Sequence, residues 1–205
     1  MKALIFSGGF FDGIPQGVEP AQYALTIAAD KGYAYATKSG IVPDVFVGDF
    51  DSFCDAACVK SPEVIRLKPE KDMTDTQEAL DIAISRGATD ITILGALGGR
   101  VDHALANLHL LKYGYDRGAC VVLLDTKTTV MLATGDVAVP KKEGFCLSLI
   151  PLTTCTNVSV SGVYYPLNDA VMDIGNPYGV SNEFVDDVAH IHIGSGQMLV
   201  LICKK

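Results

Sequence analysis

Residues 91–103 read ITILGALGGRVDH, a short apolar run that leads into glycines, an arginine and an aspartate. Two other segments share this design: residues 45–52, VFVGDFDS, and the largely apolar run at residues 64–67, which precedes KDMTD at residues 71–75. Short runs rich in β-branched residues are typical of buried strands. If these strands are parallel in one sheet, all three polar segments lie at its carboxyl edge, where open α/β sheets bind ligands. The sequence therefore predicts an α/β sheet with a polar site at that edge.

Five aspartates belong to these segments: Asp49, Asp51, Asp72, Asp75 and Asp102. Carboxylates gathered in one crevice repel one another unless a cation neutralises them. Oxygen ligands without nearby His or Cys favour Mg²⁺, which binds one or two carboxylates, several waters and substrate phosphates. We therefore predict a site that binds magnesium and phosphate.

The same aspartates also fit ordinary structural roles. Asp51 and Ser52 suit a solvated turn that caps a helix, and Asp72 with Asp75 resembles a capping box before an amphipathic helix. Capping and metal binding are compatible, so the residues by themselves leave both open. Lys71 would bring a positive charge to a phosphate oxygen.

The third segment is the most specific for an anion. Gly98 and Gly99 precede a helix predicted from about residue 101 to residue 113, whose first-turn N–H groups and positive dipole end suit a phosphate. Arg100 can bind a phosphate through two hydrogen bonds. His103 fits either a phosphate contact or a hydrogen bond within the fold. The helix is expected to bury three apolar side chains: Val101, Leu105 and Leu108.

Two features near the amino terminus have more than one interpretation. Gly8 and Gly9 follow the first apolar run and suit either a loop or a close approach to a nucleotide. Asp30 follows residues 24–29, which fit a strand or the end of a helix. Its carboxylate suits a nucleotide ribose or the metal cluster, or else a turn or helix cap.

The pattern changes at residue 128 to short β-like runs between turn signals, without a long helical pattern. This change predicts an all-β domain, a small sandwich or barrel, over residues 127–205, after an α/β domain over residues 1–126. Residues 190–193 and 198–202 are expected to form separate strands near the end.

Three features of this second half are less regular. His190 and His192 alternate onto one strand face, where a surface or interface role is simpler than a zinc site that lacks a third ligand. Residues 161–167 contain paired aromatics, and residues 179–183 contain small polar groups. These two segments suit loops, an interface or a pocket for an organic substrate, and the residues alone do not choose.

The composition excludes some classes of protein. A formal charge of −8 over 205 residues argues against a general nucleic-acid surface, which needs clustered Lys and Arg. No run approaches the length that spans a bilayer, and the amino terminus lacks the length of a signal peptide. Six scattered cysteines without a C-x-x-C pair favour reduced thiols in a cytoplasmic protein.

Several motifs, in order along nearly the whole chain, resemble those of the thiamine pyrophosphokinases. They occupy residues 30–32, 43–44 with 48–52, 71–75, 98–103 with Asn107, 162–167 and 179–183. The resemblance implies a Rossmann-like α/β domain with a mostly parallel sheet, followed by an all-β sandwich. It also implies Mg²⁺-dependent transfer of a pyrophosphoryl group from ATP to the hydroxyethyl oxygen of thiamine, giving thiamine diphosphate and AMP. Finally, it implies a homodimer in which thiamine lies between the subunits.

The resemblance also assigns roles to single residues. The magnesium and phosphate cluster corresponds to Asp49, Asp51, Asp72, Asp75 and Asp102. Nucleotide and phosphate contacts correspond to Asp30, Lys71, Thr74, Gly98, Gly99, Arg100 and His103, and the thiamine end corresponds to Ser181 and Asn182. If an aspartate accepts the hydroxyl proton, the candidates are Asp72 and Asp102, and the sequence assigns the role to neither because a metal-bound carboxylate is a poor base.

The chain departs from the family pattern at a few positions. Lys31 stands where glycine is common, and Val163-Tyr164 where bacterial members often have Leu-Lys. The chain has no tryptophan, so the aromatic face against thiamine would come from Tyr164, Tyr165 or Tyr178.

Three other classes of function fit part of the pattern. A phosphohydrolase would use Asp49 and Asp51 as nucleophile and acid, a related kinase would pyrophosphorylate a pterin, and a sensor would bind ATP without consuming it. Residues 179–183 favour thiamine over a pterin.

Overall fold

A parallel sheet forms the centre of the first of two units, Met1–Thr126 and Lys127–Lys205, in the computed structural model of the chain. The structure describes residues 1–49, 59–67, 72–176 and 178–205. The described strands of the first unit are β1 (Lys2–Phe6), β2 (Leu25–Ala29), β3 (Val45–Gly48), β4 (Glu63–Arg66), β5 (Asp90–Leu94) and β6 (Cys120–Leu124). The helices are α1 (Gly32–Lys38), α2 (Asp75–Ser85) and α3 (Val101–Tyr115), with a short 3-10 turn at Pro20–Gln22. The predicted mixed α/β class is confirmed.

The strand order reverses between β1 and β5. The order is β6-β5-β1-β2-β3-β4, and every neighbouring pair is parallel. The chain therefore runs outward from β1 in one direction through β4 and then returns to the other side of β1 with β5. Such a reversal separates the connections that leave the two carboxyl ends, and ligands of open α/β sheets bind in the gap.

Two sequence expectations about burial were wrong. The run at residues 64–67 was expected to be buried, but β4 is largely exposed because it is the edge strand next to β3. In α3, Val101 and Leu105 are 72% and 54% exposed. The buried side of α3 instead carries Asn107, Leu110, Leu111 and Gly114.

Gly114 explains why the buried side of α3 lies elsewhere. A Cβ added at Gly114 would lie 2.3 Å from Cγ2 of Val121 in β6, so helix and strand are in close contact there. The carboxyl-terminal half of α3 therefore packs on the sheet, and its first turn extends past that contact.

The second unit contains β7 (Thr128–Pro140), β8 (Phe145–Pro151), β9 (Cys155–Ser161), β10 (Leu167–Met172), β11 (Asn182–Glu183) and β12 (Val188–Lys204). β12 pairs with β7 along most of its length, while its first half also pairs with β9 and its second half with β8. The long strand β12 therefore belongs to two sets of paired strands. One set is β10-β9-β12 and the other is β11-β8-β12. Buried apolar side chains among the described residues of this unit form a cluster.

The prediction of two strands near the carboxyl terminus was wrong. Residues 190–193 and 198–202 belong to one strand, β12, with an irregularity in its pairing to β7 between Ile193 and Met198. Gly196 lies in this irregularity with a φ of 97°, and a Cβ there would lie 2.5 Å from the carbonyl oxygen of Thr154. The glycine permits a bulge within one strand where the sequence suggested a turn.

Candidate active site

The carboxyl ends of β1 and β5 are joined by backbone contacts that exclude side chains. The N–H of Ser7 donates to the carbonyl of Leu94 at 2.8 Å, and the N–H of Gly9 donates to the carbonyl of Gly95 at 2.8 Å. A Cβ on Gly9 would lie 2.5 Å from the oxygen of Gly95, and one on Gly95 would lie 2.5 Å from the oxygen of Ser7. The glycines at this edge are therefore required by the contact between the two loops.

Two aromatic residues support the Gly8-Gly9 turn. The hydroxyl of Tyr35 in α1 donates to the carbonyl of Gly9 at 2.7 Å. The ring of Tyr35 stacks on Phe11, with 5.0 Å between the centroids and 18° between the planes. The turn is therefore held by a side chain that the sequence analysis did not single out, since no local pattern links Tyr35 to Gly9.

Asp30 lies at the same edge, at the end of β2. Its backbone has a φ of 47°, a left-handed conformation that Asp tolerates better than most residues. Its N–H donates to the carbonyl of Val47 at 2.9 Å, and its carbonyl accepts from the N–H of Tyr33 at 3.1 Å. A Cβ on Gly8 would lie 3.6 Å from Oδ2 of Asp30. Asp30 thus forms the turn into α1 and also places its carboxylate beside the glycine turn.

The predicted metal ligands are only partly within the described residues. Asp49 directly follows β3 and is half-buried, and Asp75 is the first residue of α2 and is also half-buried. Asp72 is exposed ahead of α2. Asp51 and Lys71 lie outside the described residues. In the ranges that the structure describes, no three His, Cys, Asp or Glu side chains are grouped closely enough to hold a metal ion.

The cap of α2 differs from the predicted capping box. Thr74, two residues after Asp72, is the N-cap, and its hydroxyl accepts a hydrogen bond from the N–H of Gln77 at 3.2 Å. Thr74 and Gln77 match the sequence signature of a capping box, so the local signal was present but was assigned two residues too early. Asp72 is therefore not the cap of α2.

A buried pair of hydroxyls joins α2 to β1. Oγ of Ser7 lies 2.6 Å from Oγ1 of Thr76, and both residues are buried. Sequence reasoning missed this pair because its members are 69 positions apart.

Arg100 and Asp102 form an exposed ion pair at the start of α3. Nε of Arg100 donates to Oδ1 of Asp102 at 3.1 Å, and Nη2 donates to Oδ2 at 2.6 Å. The hydrogen bond from Arg100 lowers the pKa of Asp102 to about 2, and the N–H of His103, which donates to Oδ1 at 3.0 Å, acts in the same direction. The carboxylate raises the pKa of Arg100 in return. The other N–H groups of the guanidinium can still meet a phosphate.

Two glycines in the left-handed region form the loop before α3. Gly98 and Gly99 have φ values of 75° and 73°, which glycine adopts without strain. Arg100 is the N-cap of α3 and makes no side-chain cap bond. Asn107, which is buried, donates from Nδ2 to the carbonyl of Ala96 at 2.8 Å and so fastens α3 to this loop.

The second unit has a cavity of about 280 Å³ beside the Gly179–Glu183 segment. Its lining includes Tyr165, Tyr178 and Asn182, together with apolar residues of β8, β9 and β10. The side-chain amide of Asn182 accepts from the N–H of Tyr165 at 2.9 Å and donates to the carbonyl of Tyr165 at 2.8 Å. Asn182 therefore holds the backbone of Tyr165 at the edge of the cavity.

Ser181 has a different environment. Its φ is 58°, and its N–H donates to Oγ of Ser148 at 2.9 Å. Tyr164 and Tyr165 are both exposed, and their rings meet edge to face at 4.9 Å between centroids.

His190 and His192 line a separate, more open hollow of about 560 Å³ on the second unit. Nδ1 of His192 lies 2.7 Å from Oδ1 of Asp136 on the neighbouring strand. This cross-strand pair fits the simpler interpretation of a polar strand surface.

Comparison with known proteins identifies the family. The model described as "Thiamin pyrophosphokinase, catalytic domain" matches residues 20–136, and the model described as "Thiamin pyrophosphokinase, vitamin B1 binding domain" matches residues 136–198. The chain belongs to the thiamine pyrophosphokinase family. The resemblance in the sequence motifs is thereby confirmed, and so is the activity it implies: an ATP-dependent diphosphotransferase that converts thiamine into thiamine diphosphate.

Individual relatives agree with this placement among the thiamine pyrophosphokinases. A thiamine pyrophosphokinase of Bacillus subtilis (strain 168) is 29% identical over 187 residues, which cover 88% of this chain and 87% of the relative. The crystal structure of thiamine pyrophosphokinase from Bacillus subtilis is 27% identical with a TM-score of 0.89, and both chains are covered completely. The crystal structure of a family protein from Enterococcus faecalis is 28% identical with a TM-score of 0.88, again over both complete chains. No helix within the described ranges has the length and apolar character needed to span a membrane.

Proposed function

We propose that the transfer takes place at the carboxyl edge of β1, β2, β3 and β5. The ordered match to both halves of a thiamine pyrophosphokinase carries this proposal. In it, residues 1–126 form a Rossmann-like domain that binds ATP and magnesium and performs catalysis. Residues 127–205 form a β-sandwich that binds thiamine and mediates dimerisation. The reversal of strand order at β1 supports the first assignment, and the long strand β12 shared by two sets of strands supports the second.

The donor chemistry at this edge fits Mg²⁺. Asp49 leaves β3 at the edge, and Asp75 opens α2, which packs against β1, β2 and β3. Together with Asp51 and Asp72 they offer only carboxylate oxygens, which Mg²⁺ prefers, and the ion needs only one or two of them beside substrate phosphates. Mg²⁺, when bound, would neutralise the negative charge of the ATP phosphates.

The phosphates of ATP would lie against the start of α3. Gly98, Gly99 and the first turn of α3 offer backbone N–H groups, and Arg100 and His103 offer side-chain donors. Lys71 and Thr74 would also contact the phosphates, and Asp30 would contact the ribose. The exposed Arg100–Asp102 pair supports this assignment, because an arginine held by one carboxylate is already oriented before a phosphate arrives.

The transfer makes one bond and breaks one bond. The hydroxyethyl oxygen of thiamine forms a bond to the β-phosphorus while the bond from that phosphorus to the α–β bridging oxygen breaks, and this oxygen leaves with AMP. The hydroxyl proton passes to a carboxylate or to water. Asp102 is the weaker candidate for accepting it, because Arg100 holds the pKa of Asp102 at about 2. Asp72, exposed ahead of α2, is the other candidate as long as it does not bind the metal. Placement and charge stabilisation supply most of the catalysis.

Thiamine would bind at the Gly179–Glu183 segment, close to Ser181 and Asn182. The cavity lined by Tyr165 and Tyr178 supports this, since it offers aromatic faces in a chain without tryptophan. We further propose a homodimer in which this unit of one subunit completes the active site of the other. Exposed Tyr164, Val171 and Ile174 in the second unit support burial against a partner.

A cytoplasmic location completes the proposal. None of the described cysteines is in a disulfide, as expected for a protein that stays in a reducing compartment.

The decisive experiment measures both products. Purified protein is incubated with ATP, Mg²⁺ and thiamine, and AMP and thiamine diphosphate are quantified by chromatography, with controls that lack thiamine or contain EDTA. Equimolar AMP and thiamine diphosphate, both lost with EDTA, are expected. Release of ADP or free phosphate would contradict single-step transfer and favour a phosphohydrolase. Transfer to a pterin in preference to thiamine would show that the substrate is a pterin.

A further inference from the structure

The hydroxyl pair of Ser7 and Thr76 joins the carboxyl end of β1 to the first turn of α2, at the edge where the site is proposed. The two oxygens are 2.6 Å apart, and the residues are only 3% and 7% exposed. A buried hydroxyl without a partner costs free energy, so each of these side chains depends on the other for its orientation. The pair therefore links two distant segments of the chain at one fixed point.

Ser7 is anchored to the most constrained part of the sheet. It follows the last residue of β1, its N–H donates to the carbonyl of Leu94 at 2.8 Å, and its carbonyl packs against Gly95 too closely for any side chain there. The hydroxyl of Ser7 is thus held at the carboxyl ends of both β1 and β5, where the strand order reverses.

Thr76 is in the first turn of α2, directly after Asp75. It lies on the buried side of the helix with Ala79, Leu80 and Ala83. Those three side chains are apolar and make non-directional contacts, whereas a hydrogen bond of 2.6 Å depends on distance and angle. Because successive helical residues are separated by about 100°, fixing Thr76 also fixes the direction in which Asp75 leaves the helix.

We propose that Ser7 and Thr76 are positioning residues that orient Asp75 toward the metal–ATP complex. This inference rests on the metal role of Asp75 given above. The pair touches neither substrate nor metal and acts through the rotation of α2. Thr74 caps α2 and the apolar side chains pack it on the sheet, so the fold is expected to survive loss of the pair.

The test compares variants at the pair with a matched control elsewhere. Thr76→Val keeps the shape of threonine and removes the hydroxyl, Thr76→Ser keeps the hydroxyl, and Ser7→Ala removes the other partner. The control is Thr92→Val, because Thr92 accepts a hydrogen bond from the hydroxyl of Tyr23 at 3.1 Å, also across 69 positions, but from within β5.

Binding of Mn²⁺ reports on the metal site independently of turnover. The full chain is titrated with Mn²⁺ by electron paramagnetic resonance in the presence of α,β-methylene-ATP, which cannot be cleaved at the transferred bond. The midpoint of thermal unfolding is measured alongside. We expect Thr76→Val and Ser7→Ala to weaken Mn²⁺ binding by about three- to tenfold, the equivalent of one hydrogen bond. The affinity of Thr76→Ser for Mn²⁺ should stay within about twofold of the affinity of the parent.

The double variant and the control separate positioning from stability. Ser7→Ala with Thr76→Val should weaken Mn²⁺ binding no more than the larger single change, because both remove one interaction. Thr92→Val should lower the unfolding midpoint and leave Mn²⁺ affinity unchanged. A Thr76→Val protein that melts lower but binds Mn²⁺ like the parent would overturn the inference.

A further variant, Asp75→Asn, separates failure of the positioning role from failure of the proposed metal site. If Asp75→Asn abolishes Mn²⁺ binding while Thr76→Val does not weaken it, only the positioning role is wrong. If Asp75→Asn itself binds Mn²⁺ like the parent, the metal role of Asp75 is wrong and the inference falls with it.

Discussion

Arg100 holds Asp102 through two hydrogen bonds at 2.6 Å and 3.1 Å, although both side chains are exposed at the start of α3. The two residues are separated by one position, so the pair forms within a single turn of chain. Its consequence is electrostatic: the pKa of Asp102 falls to about 2, and the guanidinium is held against the first turn of α3.

The first prediction concerns the titration of Asp102. Because its pKa is lowered in the folded protein, the pair stabilises the fold above the ordinary carboxyl pKa, and this contribution is lost as pH falls toward about 2. In Arg100→Gln the pKa should rise to near the ordinary value of about 3.9. Carbon-13 NMR of the labelled carboxyl groups measures the change. An unchanged titration of Asp102 in Arg100→Gln would show that the ion pair is not the cause.

The second prediction concerns the metal ligands. Asp49→Asn and Asp51→Asn should each lower kcat at least about 100-fold, because an amide does not replace the charge that neutralises phosphate-bound metal. Circular dichroism and thermal unfolding should stay close to those of the parent. Asp116→Asn is the control, since Asp116 is exposed at the end of α3 and pairs with Lys112. Near-normal activity in both site variants would contradict the metal cluster.

The third prediction concerns the thiamine end. Asn182→Ala removes both hydrogen bonds to the backbone of Tyr165 and should raise KM for thiamine about tenfold, with KM for ATP unchanged. Steady-state kinetics with each substrate varied separately give both values. Asn168→Ala, an exposed amide in β10, should change neither. Equal changes in both KM values of Asn182→Ala would point to a general loss of structure.

The fourth prediction compares two neighbouring glycines. Gly9→Ala should destabilise the protein by about 2 kcal/mol or more, because its Cβ would lie 2.5 Å from the backbone oxygen of Gly95. In Gly8→Ala the new Cβ would lie 3.3 Å from the Cβ of Lys31, a separation that a shift of a few tenths of an ångström relieves, so the cost should be smaller, about 1 kcal/mol. Urea unfolding of both variants measures the difference. Similar losses at the two positions would mean that the Gly9–Gly95 contact is not rigid.

Local signals in the sequence were enough to find most of the elements. The β-branched runs predicted β3 and β5, the glycines predicted the loop before α3, and six ordered motifs identified the family. The sequence also contains the signal for the cap of α2, since Thr74 and Gln77 match a capping box. The prediction assigned the cap to Asp72 and not to Thr74. Each of these signals depends on residues within a turn or two of one another.

Burial was harder to predict because it depends on which helices and strands pack against a residue in space. Val101 and Leu105 have the spacing of a buried face, yet they are exposed, because α3 packs on β6 through Gly114. Residues 64–67 have the composition of a central strand but lie at the edge, and two runs separated by glycines are one strand, β12.

The sequence by itself therefore determined the family, the two-part organisation of motifs and the residue types available to the site. Only the tertiary structure decided that Ser7 meets Thr76, that Tyr35 supports Gly9, and that Asn182 holds Tyr165. The physical reason is that hydrogen-bond partners distant in sequence are chosen by the strand order and by the packing of helices on the sheet. A pattern confined to neighbouring residues does not contain that information.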